Sequence, residues 1–258
     1  MPSSVDTKVT LAISISGKGG TGKTTITALM LKVILERTDK TVLVIDADPA
    51  SNLPDVLGIP VEVTVGDVVE ELKEKTEKGE LMSLPPELFQ AYVYETIVET
   101  DRFDLVVMGR TESKGCYCYV NAVLRQIMQM LAKNYDIVLM DCEAGLEHIQ
   151  RRVDQDVDIL LIVTDSSRMG ISTVKKIVDL ARKMGYRATR IGIVGNMGID
   201  PRIIADLAAE VGAEPLGVIP YDENVRKFNL EGRPLLELPE DSPAYQAVRT
   251  ICERLGIV

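Results

Sequence analysis

The sequence predicts an α/β fold: a mostly parallel sheet of about seven or eight strands, flanked by helices. Three observations predict it. Short apolar runs that read as strands alternate along the chain with apolar stripes at helical spacing. Some runs are continuous, Val42-Leu43-Val44-Ile45 for one, as expected of strands covered by helices on both faces. The first run (Val9, Leu11, Ile13, Ile15) leads straight into a glycine-rich loop and then a helical stripe. That loop, residues 17–25 (GKGGTGKTT), fits the phosphate-binding pattern G-x-x-x-x-G-K-[ST].

The chain has 258 residues, 46% of them hydrophobic. That is enough for a full core in one domain over residues 1–258. A net charge of −10 advertises no nucleic-acid groove. No apolar run approaches the ~20 residues that span a bilayer, and MPSSVDTK is not a secretory signal. Four cysteines in this length do not make a disulfide framework. The expectation is a reduced, cytoplasmic protein with neither nucleic acid nor membrane as partner.

Taken in order, the loop after the first strand holds its chemistry in its composition. Backbone N–H groups must converge on phosphate oxygens, and glycine lets the chain curl that tightly. Gly17, Gly19, Gly20 and Gly22 supply the curl, with Thr21 and Thr25 in the same loop. Lys23 would lie along the β- and γ-phosphates, and the Thr24 hydroxyl would ligate Mg²⁺. The helix that follows (Ile26, Leu29, Met30, Val33, Ile34) turns its positive end to the anion. This is the signature of a P-loop NTPase.

Residues 41–47 form the second strand, ending in Asp46-Ala47-Asp48-Pro49. Residues 70–80 (EELKEKTEKGE) read as a solvated helix tail, stopped by Pro85-Pro86. Residues 87–99 are ambiguous between helix and strand. Residues 103–108 are a buried strand, and Val120, Val123, Leu124, Ile127, Met128 and Leu131 a helical stripe. Strands follow at 135–140 and 157–164. A helix carries Val174, Ile177, Val178 and Ala181, with Gly185 placed to cap it. After a strand at 191–195, Asp200 and Pro201 make an N-cap and first-turn pair for a helix ending near Gly212. A last strand at 216–220 and a helix at 245–255 close the chain.

An apolar strand ending in an acid, IVLMD to Asp141, is the arrangement that holds Mg²⁺ through water. Asp46 suits either the magnesium water shell or the structure of its own loop. The guanine signature [NT]KxD is absent after the strand ending at Gly195, which favours ATP over GTP.

Cys116-Tyr117-Cys118 lies between a strand and a helix start. Two thiols beside a helix N-terminus are expected to have lowered pKa values, since the dipole favours thiolate. Two sulfurs do not complete a four-coordinate site, but a two-fold dimer supplies four. An S₄ set suits Zn²⁺, or Ni²⁺ if flattened. A redox dithiol or inert cysteines would also fit the pair. Cys142 reads as a small apolar filler, Cys252 as packed, and His148, the lone histidine, as a surface helix residue.

The second lysine of the loop, Lys18 in K-G-G-x-G-K-T-T, makes the chain resemble the deviant P-loop ATPases of the SIMIBI type. These include the ParA and MinD group, Mrp-type carriers, arsenite-pump ATPases and the nitrogenase iron protein. The resemblance implies that Lys18 reaches across a homodimer to the partner's nucleotide. It also implies that Asp48 orients the attacking water. Gly145, in the second switch Asp141-Cys142-Glu143-Ala144-Gly145, would sense the γ-phosphate. Asn196, Pro220, Tyr221 and Asp222 would contact the base.

The run Met108-Gly109-Arg110 … Gly115-Cys116-Tyr117-Cys118-Tyr119-Val120-Asn121 is similar to the CooC family, accessory ATPases that insert nickel into carbon monoxide dehydrogenase. This resemblance implies ATP/ADP, Mg²⁺ and Ni²⁺ (or Zn²⁺) as ligands. It implies metal on Cys116 and Cys118 across a dimer, and carbon monoxide dehydrogenase as the target. An iron–sulfur carrier of the nitrogenase iron protein or Mrp kind is the alternative. A positioning ATPase of the ParA or MinD kind is disfavoured by the acidic charge and by a C-terminal helix that is not strongly basic.

Overall fold

The structure, a computed structural model, describes residues 10–68, 70–71, 91, 94–110, 133–142, 157–183 and 188–258. The first half runs β1 (Leu11–Gly17), α1 (Lys23–Arg37), β2 (Val42–Ala47), α2 (Leu53–Leu57), β3 (Ile97–Glu99) and β4 (Phe103–Val107). Then come β5 (Ile137–Cys142), β6 (Ile159–Thr164), α3 (Arg168–Lys183), β7 (Arg190–Gly195), α4 (Pro201–Val211) and β8 (Glu214–Val218). The chain closes with α5 (Glu223–Glu231), a 3-10 turn at Leu235–Glu237, and α6 (Pro243–Leu255).

Eight strands form one sheet in the order β3-β4-β2-β5-β1-β6-β7-β8. All neighbours are parallel except β3 and β4. The expected mostly parallel, helix-flanked sheet is present. From β1 the chain builds first towards β2 and β4, then returns to build outward through β6, β7 and β8. The strand order reverses beside β1, so a crevice opens at its C-terminal end, where open parallel sheets take ligands. Gly17, Asp46 and Asp141 sit at that edge, and Asp46 is the register partner of Asp141.

One face of the sheet (Ile13, Val44, Leu105, Leu139, Leu161) packs with α1 and α6. The other face divides. Leu43, Ile45, Val106, Val138 and Met140 form one cluster. Leu160, Ile162 and Ile193 form another, with Val174, Ile177 and Val178 of α3 and Ile204, Leu207 and Val211 of α4. Each of these side chains stabilises the fold by ~1.5–3 kcal/mol through burial.

The two helix types differ as their sequences do. In α3 the buried residues (Gly170, Val174, Ile177, Val178, Ala181) fall on one stripe. In α1 every residue from Ile26 to Ile34 is buried, Thr27 and Lys32 included. Such a helix belongs inside, and α1 lies between the sheet and α6. Lys32 is tolerated there because its ammonium donates to Glu36 Oε1 at 2.5 Å and to the Leu236 carbonyl at 2.7 Å.

Boundaries shift from the sequence reading by one to two residues, and three regions differ in kind. The five-residue helix α2, too short to carry an apolar stripe, is absent from that reading. Ile97–Glu99, inside the ambiguous stretch 87–99, is an antiparallel edge strand. Helix α5 was not anticipated, because its face is mostly exposed and only Phe228 is buried. Asp200 caps α4 as expected, accepting from Arg202 N, with Pro201 next and Gly212 after its end. Val9, most of residues 70–80, Gly185 and the stripe 120–131 lie outside the described residues. Among the described residues, no helix is long and apolar enough to cross a membrane.

Candidate functional site

The loop between β1 and α1 owes its shape to three glycines with positive φ: Gly17 at 148°, Gly20 at 78° and Gly22 at 88°. A Cβ on Gly17 would stand 2.2 Å from the Val163 carbonyl oxygen, and one on Gly22 2.4 Å from Asn196 Nδ2. Both positions are therefore closed to side chains by space as well as by φ. A Cβ on Gly20 would meet nothing within 4 Å, so that corner faces open space. Helix α1 has no side-chain cap at Gly22, which leaves its first N–H groups to an anion.

The loop's polar groups are tied to one another. The Lys18 carbonyl accepts from Thr21 Oγ1 at 2.8 Å, from Thr21 N at 3.3 Å and from Lys23 Nζ at 3.4 Å. Lys23 is buried. Asn196 Nδ2 donates to the Thr21 carbonyl at 2.7 Å, fastening the loop to the end of β7. Lys18 Nζ lies 3.4 Å from Asp165 Oδ2, just past β6. Asp165 Oδ1 accepts from Ser167 N at 3.0 Å and Ser167 Oγ at 2.5 Å. The Ser167 hydroxyl holds the Asp165 carboxyl below its usual value against the opposing effect of burial, and Lys18 adds to the lowering. Sequence reasoning missed Asp165, although the signal was there: a third apolar strand followed at once by an acid.

The acidic strand ends form a second group. Asp46 is fully buried, with Oδ1 accepting from Asp48 N and Oδ2 from Leu53 N, each at 3.0 Å. Burial pushes its pKa up to about 6, and those two N–H groups restrain the rise. Of the two roles expected for Asp46, these bonds serve the structure of its loop. Asp48 Oδ1 accepts from Ala50 N at 2.9 Å, closing the turn at Pro49. Asp141 is equally buried, yet neither carboxylate oxygen has a hydrogen-bond partner among the described residues. Burial pushes its pKa up to about 7. A polar contact from the Thr24 hydroxyl and the charge of Lys23 pull it down, while Asp46 and Asp48 push it up. The Thr24 hydroxyl is thus near enough to lower the Asp141 pKa, but it does not complete a hydrogen bond to either oxygen. A buried, unpartnered carboxylate beside a loop threonine fits Mg²⁺ held through water.

On the far side of the loop lies a cavity of about 340 Å³. Gly22, Thr25, Ile26, Leu29, Asn196, Ile219, Pro220, Tyr221 and Val225 are among the residues that line it. An apolar slot with few polar groups suits a planar base. Asn196 spends one donor on Thr21, and its Oδ1 accepts from Met197 N at 2.8 Å. One N–H and one lone pair remain for a base. Asp222 borders the cavity, but its oxygens already accept from Asn224 N, Ala244 N and Ser242 Oγ. Its place is that of the N-cap of α5, and Tyr221, largely exposed, is the more open group.

Cys116, Cys118, Gly145 and His148 lie outside the described residues. Among the described residues, no group of three or more His, Cys, Asp or Glu side chains could hold a metal alone. Cys142 is buried in the sheet, 3.3 Å from Ser14 Oγ. Burial pushes the Cys252 thiol up to about 12. Both behave as packing residues.

Over residues 12–235 the chain matches the CobQ/CobB/MinD/ParA nucleotide binding domain. It is 43% identical over 250 residues to an uncharacterized ATP-binding protein of Methanocaldococcus jannaschii, covering 95% of this chain and 98% of that one. It is 28% identical over 262 residues to the carbon monoxide dehydrogenase accessory protein CooC of Rhodospirillum rubrum, covering 95% and 98%. Among solved structures it resembles the septum site-determining protein MinD of Pyrococcus horikoshii, complexed with Mg-ADP. There the TM-score is 0.72 at 25% identity, with 96% of each chain covered. The chain belongs to the MinD/ParA-type nucleotide-binding family of P-loop proteins.

Proposed function

We propose that this chain is an ATPase that works as a homodimer, binds nickel through Cys116 and Cys118 at the subunit interface, and assists nickel insertion into carbon monoxide dehydrogenase. The observation that carries the ATPase part is Asp141, a buried carboxylate with no hydrogen-bond partner among the described residues, at the mouth of a glycine cradle. The nickel part is supported by the Cys-x-Cys pair and the full-length likeness to CooC.

The chain's own residues divide the work. Lys23 leaves the Lys18 carbonyl and lies along the β- and γ-phosphates. N–H groups from Gly19 to Thr25 close on the phosphate oxygens. The Thr24 hydroxyl and, through water, Asp141 would hold Mg²⁺, which would neutralise charge on the phosphates. Asp48 aligns the attacking water. Lys18 leaves Asp165 and reaches the partner's nucleotide, so hydrolysis and dimer geometry are linked. Asn196, Pro220 and Tyr221 seat the base, adenine over guanine.

The test is metal per chain against oligomeric state. Reduced, chelator-stripped protein is loaded with Ni²⁺, with ADP or ATP, and passed through gel filtration. About one nickel per two chains, lost in C116S/C118S, is expected. Iron and sulfide in place of nickel would replace the nickel reading with an iron–sulfur carrier. ATP-dependent binding to anionic vesicles without metal would favour a positioning ATPase, the second reading, for which the likeness to MinD speaks.

A further inference from the structure

The segment Met108-Gly109-Arg110 leaves β4 and leads to the cysteine pair six residues further on. It is gripped from two sides. Towards the nucleotide site, Met108 N donates to the Asp46 carbonyl at 2.8 Å, and Arg110 Nε donates to the Pro49 carbonyl at 3.2 Å. Those two carbonyls bracket Asp48. On the opposite side, Gly66 N donates to the Met108 carbonyl at 2.9 Å. A Cβ on Gly66 would stand 2.4 Å from the Arg110 carbonyl, and a Cβ on Gly109 2.3 Å from Thr64 Oγ1. Gly109 has φ 66° and turns the chain there.

We propose that Arg110 is a positioning residue that links the Asp48-bearing segment to the cysteine-bearing chain after β4. The Met108 bond continues the β2–β4 ladder and is fixed with the sheet. The Arg110 bond is different in kind. It reaches past the end of both strands to a carbonyl in a turn, the part that must adjust when a γ-phosphate and its attacking water come and go. A guanidinium anchored on that carbonyl carries the adjustment to its own backbone, which Thr64 and Gly66 confine on the other side. Gly109, with its positive φ, is the joint between the fixed Met108 and Arg110. This inference rests on the nucleotide-switched reading above, and not on which metal the thiols hold.

The test needs no metal. The chain has four cysteines, and Cys142 and Cys252 are buried, so a fast phase of thiol alkylation is assigned by comparison with the variant lacking the other two. C116S/C118S, lacking that phase, verifies the assignment. Rates are measured on reduced, chelated full-length protein with ADP and with a non-hydrolysable ATP analogue. The wild type is expected to differ by about threefold or more between the two nucleotides. In R110A the two rates converge, while R110K, which keeps a donor, recovers part of the difference. Matched thermal melting of the variants checks that they fold. An undiminished difference in R110A overturns the proposal, and so does a wild type whose rates are equal. Neither result touches nickel stoichiometry, which fails or stands by the gel-filtration measurement above.

Discussion

Asp46 and Asp141 are register partners on neighbouring strands, both at the sheet's C-terminal edge and both buried. They differ in one respect. Asp46 receives two backbone N–H groups from its own loop, while Asp141 completes no hydrogen bond to the described residues. The same acid in nearly the same place is thus a structural clamp in one strand and an open valence in its neighbour. Burial alone does not single out a candidate metal-holding carboxylate; burial without a hydrogen-bond partner among the described residues does.

The contrast can be broken most sharply at Asp141. D141A is expected to slow ATP hydrolysis by ~10³-fold, the several kcal/mol that a held metal contributes. Apo stability in urea should not fall. D46A should do the reverse in the unfolding experiment. It orphans two N–H groups near the buried end of β2, and the expected loss is about 2–5 kcal/mol, read from the same urea curves. Equal destabilisation by the two variants would erase the distinction.

A third prediction uses pH. The Asp141 carboxyl is raised from 3.8 to about 7. A raised carboxyl favours the protonated folded state, so its contribution to apo stability is full below the unfolded value. It is lost as pH rises through about 7. Mg²⁺ must compete with that proton. Below pH 7 its apparent affinity should weaken ~tenfold per unit, seen by calorimetry with ADP present, and D141N should lose the dependence. The smallest effect is expected at Asp165, whose ion pair with Lys18 is partly exposed. D165N keeps an acceptor for Ser167 and should change stability by less than ~1 kcal/mol, by urea denaturation.

Much of this site is legible in the sequence because its determinants are local. The glycines at 17 and 22, Lys23, and the strands that end at Asp46 and Asp141 need only spacing and hydropathy to be found. The mostly parallel character of the sheet, though not its strand order, follows from the alternation of strands and helices. What separates Asp46 from Asp141 is not local. It depends on where the N–H groups of Asp48 and Leu53 point once the chain has turned into α2. The bonds from Asn196 to Thr21 and from Lys18 to Asp165 join residues more than a hundred positions apart, beyond any windowed pattern. Helix α5 escaped for a different reason: one buried residue, Phe228, makes no stripe.

The buried Lys32 has a consequence for motion. Its ammonium bridges Glu36 and the Leu236 carbonyl, and Tyr245 of α6 donates to the other oxygen of the same Glu36. Withdrawing that charge from its cage would strand it in apolar surroundings, so α1 cannot slide or rotate without breaking the cluster. The helix whose first turn is proposed to receive the phosphates is therefore ballast. A ligand at that first turn would meet a helix braced at its far end.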